Sequence, residues 1–127
     1  MKAFFLLICL SFTTLLSHAA WVEIGWNKEE KVRIFIDLDA ILHGKNTKIV
    51  KALYDFETPN HQFNKTHLSE VELIEVDCRQ RRFRLPQISW YSKNKAGGST
   101  VLTTLNADWQ MSESHSAYEE IMSRVCR

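Results

Sequence analysis

The first nineteen residues carry the pattern of a cleavable export signal. This pattern predicts how long the folded chain is and that it folds in an oxidising compartment. Lys2 precedes an apolar stretch, Ala3–Leu16, and Ser17–Ala19 supplies the small residues that precede a cleavage site. The apolar stretch is too short for a membrane-spanning helix. We therefore predict that residues 1–19 are removed and that residues 20–127 form one exported domain without a transmembrane segment.

Net charge excludes one large class of partner. The full chain has 16 basic and 15 acidic side chains, and loss of Lys2 with the signal leaves the mature chain formally neutral. A neutral domain has no global electrostatic attraction to nucleic acid or to anionic lipid. We therefore expect no nucleic-acid partner.

Signal cleavage also sorts the cysteines. Cys9 leaves with the signal, and the preceding Leu7 and Ile8 do not fit a lipid-attachment site. Cys78 and Cys126 remain as an even pair in an oxidising compartment, which predicts one disulfide. A free reactive thiol and a metal site are the alternatives, although the pair lacks the CxxC spacing of a zinc site. A disulfide here would stabilise the domain by about 4 kcal/mol.

Alternating apolar residues predict that strands dominate most of the chain. In the segment 31–38, Val32, Ile34 and Ile36 face one way, as in a strand with one buried face. Pro86 should lie at a sheet edge, a strand end or a bulge. Polar residues, with Pro59 among them, predict a loop over residues 58–65. Further strands are expected at 21–26, 47–56, 69–78 (with the extended pattern continuing over 79–85), 88–92 and 99–105.

The last segment changes to a helical period. Tyr118, Ile121, Met122 and Val125 form one apolar stripe, and Ser116 begins a capping box. The predicted fold is therefore α+β, with an antiparallel sheet of about five to six strands and a C-terminal helix packed on one face. The disulfide would join the end of this helix to a strand.

These features together resemble the bacterial surface-adhesin protein E-like domain family. The resemblance implies an antiparallel sheet with a C-terminal helix, and a protein that binds host matrix or plasma proteins. The chain departs from the named member in lacking a good lipid-attachment site. The residues that carry the resemblance are Trp21, the VRIFIDLDAI stretch (Val32–Ile41), Asp77–Cys78, the RQRRFRL run (Arg79–Leu85), Gly97–Gly98, Trp109 and Val125–Cys126.

A cluster of arginines is the sharpest chemical feature outside the cysteines. Guanidinium groups at this density suit acidic groups on a partner protein, a sulfated sugar or a phosphate. The alternative is a solvated strand face, paired with local acids such as Glu72 and Glu75. Alternation along a strand would split the cluster between the two faces of the sheet. We expect a partner to contact the sheet and the 60–65 loop. The candidate partner-binding residues are Lys65, Arg79, Arg81, Arg82 and Arg84.

No motif of catalysis or cofactor binding is present. The chain has no nucleophile elbow, HExxH motif or glycine-rich phosphate loop. His61 and His67 lack metal-ligand spacing, so we expect neither a metal nor another cofactor. The sequence favours a non-enzymatic, exported binding module of a Gram-negative bacterium, in the periplasm or on the cell surface. A periplasmic housekeeping or stress domain is the alternative, and homodimer formation stays open.

Overall fold

The computed structural model describes residues 20–106 and 108–127, so the predicted export signal lies outside the described residues. Strands fill most of the described chain, and one helix follows them. In chain order the elements are β1 (Trp21–Asn27), β2 (Val32–Asp37), β3 (Leu42–His43), β4 (Lys48–Gln62), β5 (Lys65–Asp77), β6 (Arg82–Tyr91), β7 (Thr100–Thr104), β8 (Gln110–Met111) and α1 (Ala117–Val125).

The strands form one antiparallel sheet in the order β1-β2-β4-β5-β6-β7, with β3 beside β4 and β8 beside β6. Its centre is the long hairpin of β4 and β5, which have 15 and 13 residues. In this order, strands that follow one another along the chain mostly lie side by side, as expected for an antiparallel meander. Pro86 lies where the β5–β6 register shifts, between the pairs Leu73–Gln87 and Glu75–Arg84. This bulge accommodates a residue that cannot donate a backbone hydrogen bond.

The predicted α+β class with five to six strands is wrong. The described residues form a mostly β domain with eight strands and one nine-residue helix. Two strands were missed because Leu42–His43 and Gln110–Met111 contain two residues each. A two-residue strand cannot show the alternation by which strands are recognised in a sequence.

Two predicted boundaries also differ from the structure. The polar segment 58–65 is the end of a hairpin rather than a loop, because β4 continues to Gln62 and β5 begins at Lys65. Pro59 is tolerated because the β4–β5 register shifts between Asp55 and Asn60. Residues 79–81 form a turn rather than part of a strand, and β6 begins after them.

The core lies between α1 and one face of the sheet. The stripe predicted for the helix is correct, since Ile121, Met122 and Val125 are buried and Tyr118 packs beside them. Ser116 Oγ accepts the Glu119 N–H at 3.2 Å, so the helix begins with the predicted cap. The sheet contributes Ile36, Val50, Ala52, Ile74, Val76 and Phe83.

A disulfide and a lysine hold the end of α1 on the sheet. Cys78, which directly follows β5, is bonded to Cys126, with a Cα–Cα distance of 5.6 Å. Lys48 donates from Nζ to the Val125 carbonyl oxygen at 2.9 Å. A cation at the last turn satisfies a free helix carbonyl and complements the helix dipole. The helix therefore has a fixed position relative to β4 and β5.

Candidate functional site

The tip of the β4–β5 hairpin, residues 60–67, presents a large apolar side chain to solvent. Phe63 and Asn64 form the two-residue turn, with positive φ values of 51° and 57°. Type I′ turns of this kind favour Asn and Gly, because positive φ strains residues with a bulky Cβ. Phe63 occupies the turn nevertheless, and 81% of it is exposed. Lys65 follows it at the start of β5 and is also exposed.

An aromatic stack supports the hairpin tip from below. The Phe63 ring lies parallel to the Trp90 ring, with 6.1 Å between the centroids. Trp90 is buried and stacks in turn on His67 at 4.1 Å. The Phe56 ring packs edge-on against the His67 ring, with 5.5 Å between the centroids. The exposed Phe63 therefore stands on a packed aromatic base, which limits its movement.

The structure divides the predicted arginine cluster into two pairs of residues, and one pair makes contacts within the domain. Arg82 and Arg84 form ion pairs with Asp77 and Glu75 across the β5–β6 pair. Each of the two guanidinium groups also lies 4.5 Å from the centre of the Trp109 ring. The predicted pairing with local acids is thus correct for Glu75, while Asp77 takes the place of Glu72. Arg82 and Arg84 serve the fold.

The other predicted partner-binding residues lie at opposite ends of the hairpin. Arg79 and Arg81 are exposed in the turn between β5 and β6, and Arg81 has a positive φ of 52°. Lys65 begins β5, so it lies about 40 Å along the strand from that turn at roughly 3.3 Å per residue. The structure therefore does not bring the five candidate residues together at one site.

A second candidate site is a cavity of about 570 Å³ between the start of α1, the β1–β2 turn and the middle of β4 and β5. We call it the acidic cavity, because Glu30, Glu70 and Glu72 line it. Tyr54, Phe56 and Tyr118 provide its aromatic walls. Tyr118 donates its hydroxyl to the Glu72 carboxylate, with distances of 3.2 Å and 3.1 Å to the two oxygens.

The Glu70 and Glu72 carboxyl groups of the acidic cavity are difficult to ionise. Burial raises the pKa of Glu72 to about 8, with a further contribution from the charge of Glu70. Burial also raises the pKa of Glu70 to about 7, with a smaller contribution from Glu30. The hydrogen bond from Tyr118 lowers the pKa of Glu72 but does not offset its burial. Near neutral pH, Glu72 is therefore mainly protonated and Glu70 is about half ionised.

The sequence predicts a partner contact through the sheet and the 60–65 loop, which contains Phe63, but it singles out neither Phe63 itself nor the acidic cavity. Phe63 was assigned to a polar loop, although it is the one aromatic residue within residues 58–65. Glu72 was regarded as a surface residue that could pair with arginine. Its spacing from Ile74 and Val76 was the available signal, because residues two apart on a strand share a face. An acid in phase with two buried apolar residues is expected to be buried as well.

Among residues 20–106 and 108–127, no group of three His, Cys, Asp or Glu side chains is arranged to hold a metal ion. No helix in the same part of the chain is long and apolar enough to cross a bilayer. The two candidate sites are therefore the exposed hairpin tip and the acidic cavity.

Comparison with known proteins gives one clear result. The family model described as surface-adhesin protein E matches residues 21–127. A search of curated proteins finds no significant match. The family match begins at the first residue of β1 and continues through both cysteines and α1. The match covers most of the chain, and we conclude that the chain belongs to the surface-adhesin protein E family.

Proposed function

We propose that this protein is a non-enzymatic binding module that contacts host extracellular-matrix or plasma proteins through the tip of its β4–β5 hairpin. Membership of the surface-adhesin protein E family implies an adhesin-like binding role and an exported or surface location. The exposed Phe63 in a turn that disfavours it is the observation that carries the proposal.

The conformation of Phe63 has a cost that folding does not require. A bulky residue in the left-handed region costs about 1–3 kcal/mol, and such strain is concentrated at functional sites. Asn or Gly would form the same turn without it. Because 81% of Phe63 is exposed, packing within the domain recovers little of this cost. Burial of the ring against a partner would recover it.

The surroundings of Phe63 suit a protein interface. An aromatic side chain fixed on a rigid base and flanked by a cation is typical of an energetic centre of such interfaces. Lys65 supplies the cation beside Phe63. Arg79 and Arg81 form a separate exposed basic group, which we propose as an additional contact for a large or elongated partner. Arg82 pairs with Asp77, which also accepts the Gln80 N–H in the turn that holds this second group.

Replacement of Phe63 by Asn separates binding from folding. We expect Phe63→Asn to keep or raise the melting temperature, since Asn suits the turn. Binding of the purified protein to immobilised mammalian plasma and basement-membrane extract should fall by roughly thirtyfold, as for a central interface residue. The matched control is Leu105→Asn, which removes another exposed apolar side chain (Leu105 is 76% exposed) from a different surface. Equal binding by wild type and Phe63→Asn would exclude the hairpin tip.

The location of the protein tests the proposal independently. Protease treatment of intact cells should remove a protein that is displayed at the surface. Recovery of intact protein solely in the periplasmic fraction would favour a periplasmic housekeeping or stress role without a host ligand. Charge reversal of Arg79 and Arg81 tests the second contact, and unchanged binding would exclude those two residues.

A further inference from the structure

The acidic cavity contains carboxyl groups to which the fold gives no cationic partner. Glu30, Glu70 and Glu72 line it, and its lining includes neither lysine nor arginine. Glu72 is only 4% exposed. Burying a carboxylate away from water is costly unless a cation or several hydrogen-bond donors accompany it. In the described residues, the one donor on the Glu72 carboxylate is the Tyr118 hydroxyl.

Two further polar groups beside these carboxyl groups are not satisfied by the described residues. The Tyr54 hydroxyl oxygen exposes less than 1 Å² and has no partner among them in full hydrogen-bonding geometry, although Tyr54 lines the cavity and lies close enough to Glu72 to lower the pKa of that carboxyl. Neither ring nitrogen of the buried His67 has a hydrogen-bond partner there. His67 Nε2 lies 3.4 Å from Glu70 Oε2. An unsatisfied buried polar group destabilises a fold, so the network is incomplete in the described residues.

The same network would be complete around a bound cation. A cation between Glu70 and Glu72 would hold both in the ionised form, which accepts more hydrogen bonds than the protonated form. The Tyr54 hydroxyl, whose pKa is raised by burial and by the neighbouring Glu72 charge, would then have an ionised acceptor nearby. The Tyr54 hydroxyl without a partner and the two carboxyl groups without a cation therefore have one common explanation.

The shape of the cavity selects the kind of cation. Its acidic groups do not form the close cluster that a metal ion needs, as judged over the described residues. A volume of about 570 Å³ lies within the range of small-molecule sites and far exceeds a single ion. Tyr54, Phe56 and Tyr118 offer apolar surface and aromatic faces, which attract ammonium groups. These features suit an ammonium group on an aliphatic chain.

We propose that the acidic cavity binds a primary alkylammonium group, with the ammonium held by Glu70 and Glu72 and the aliphatic chain against Tyr54, Phe56 and Tyr118. A free amine and a lysine side chain of a partner both supply this chemistry. The cavity shares Asn60 and Gln62 with the hairpin tip, but Phe63, the proposed partner contact, does not line it.

Binding should strengthen as pH rises through the neutral range. The groups that face the cavity or contact its carboxyls are Glu30, Tyr54, His67, Glu70, Glu72 and Tyr118. Burial lowers the pKa of His67, so this residue stays neutral and does not supply the missing positive charge. An ammonium ion must displace protons from Glu70 and Glu72, and therefore binds better where they are ionised.

Calorimetric titration of the full mature protein with 1-aminobutane tests the proposal, with 1-butanol as the neutral analogue. We expect measurable binding of the amine, no binding of the alcohol, and roughly tenfold tighter amine binding at about pH 9 than at about pH 6. Glu72→Gln and Glu70→Gln should each weaken amine binding at least tenfold. Glu113→Gln is the matched control, because Glu113 is exposed and does not line the cavity.

These measurements distinguish a site that binds a cation from a cavity that binds any small apolar molecule or none. Equal binding of alcohol and amine, or no amine binding in wild type at either pH, would overturn the proposal. Unchanged binding in both glutamine variants would also overturn it, and melting curves establish that those variants are folded. Nα-acetyl-lysine methylamide identifies the source, since tighter binding than 1-aminobutane indicates a lysine side chain and weaker binding a free amine. Phe63→Asn should bind 1-aminobutane as wild type does.

Discussion

The two faces of β5 place their acidic residues in opposite environments. On one face, Glu75 and Asp77, which we call the outer acids, pair with Arg84 and Arg82. On the other, Glu70 and Glu72, which we call the inner acids, lie against tyrosines without a cation. The two pairs are neighbours on one strand, and the alternation of side chains alone separates them.

The pKa values of the outer and inner acids shift in opposite directions. Hydrogen bonding to Arg84 lowers the pKa of Glu75, and a backbone hydrogen bond from Gln80, with the Arg82 pair, lowers the pKa of Asp77. Burial raises the pKa of Glu70 and Glu72 to about 7 and about 8. The outer acids therefore stabilise the fold when charged, whereas the inner acids destabilise it when charged. This difference assigns the outer acids to the fold and makes the inner acids candidates for binding.

Removal of the disulfide should have the largest effect on the comparison. The Cys78–Cys126 bond closes a sequence separation of 48 and holds the helix that carries Tyr118 over Glu72. We expect a Cys78→Ser/Cys126→Ser variant to lose about 4 kcal/mol of unfolding free energy in urea titration. Reductant should lower the stability of wild type and leave the variant unchanged. Equal stabilities of oxidised wild type and variant would contradict the role assigned to the bond.

The inner acids should make stability fall as pH rises. Their folded pKa values of about 7 and about 8 lie above the ordinary value of 4.5, so the folded state keeps protons that the unfolded state releases. The stabilisation is complete below about pH 4.5 and is lost as pH rises to about 8. Glu72→Gln should recover on the order of 3 kcal/mol at about pH 9. Thermal melting across this range measures the effect.

The control for this pH dependence is Glu113→Gln, which removes an exposed carboxyl group. Its melting temperature should follow the wild-type pH profile. If Glu72→Gln also follows that profile, Glu72 ionises freely in the folded protein and the contrast between the inner and outer acids fails.

The outer acids should show the opposite dependence with a smaller effect. Arg84→Ala removes the partner of Glu75 and a contact with Trp109, and we expect a loss of about 1–2 kcal/mol at neutral pH. The lowered pKa of Glu75 means that this stabilisation is present above its ordinary pKa and is lost as pH falls. Wild type and variant should therefore converge in acid urea titrations. Arg79→Ala, in the exposed turn, should change stability by less than about 0.5 kcal/mol.

The parts of the fold that depend on long periodic patterns could be predicted from sequence. The alternation in β2, the apolar stripe of α1 and the cap at Ser116 are local signals of one element. The pairing of Cys78 with Cys126 followed from their being the two cysteines outside the predicted export signal. These features could be identified without the structure because each depends either on residues close together in the chain or on a single possible pair of cysteines.

The candidate sites depend on pairing between distant segments, which a single sequence does not reveal. Tyr118 meets Glu72 because the helix packs across the sheet, and the two lie 46 positions apart. The turn at Phe63 was hidden because Phe is not a residue expected there. Arg82 and Arg84 were identified as a charge cluster, but their roles depended on the β5–β6 register.

Removal of the α1 cap should have the smallest effect on stability, and it tests whether the helix affects the inner acids. Ser116→Ala removes the hydroxyl that accepts the Glu119 N–H, and should lower the unfolding free energy by about 1 kcal/mol. Ser116→Asp should retain most of the stability, since Asp is an equally good cap. Burial is the main cause that raises the pKa of Glu72, and the hydrogen bond from Tyr118 opposes it. The loss in Ser116→Ala should therefore be the same at about pH 6 and about pH 9. A loss that shrinks at the higher pH would show that fraying of the first helical turn hydrates Glu72, so that the cap and the inner acids act as one unit.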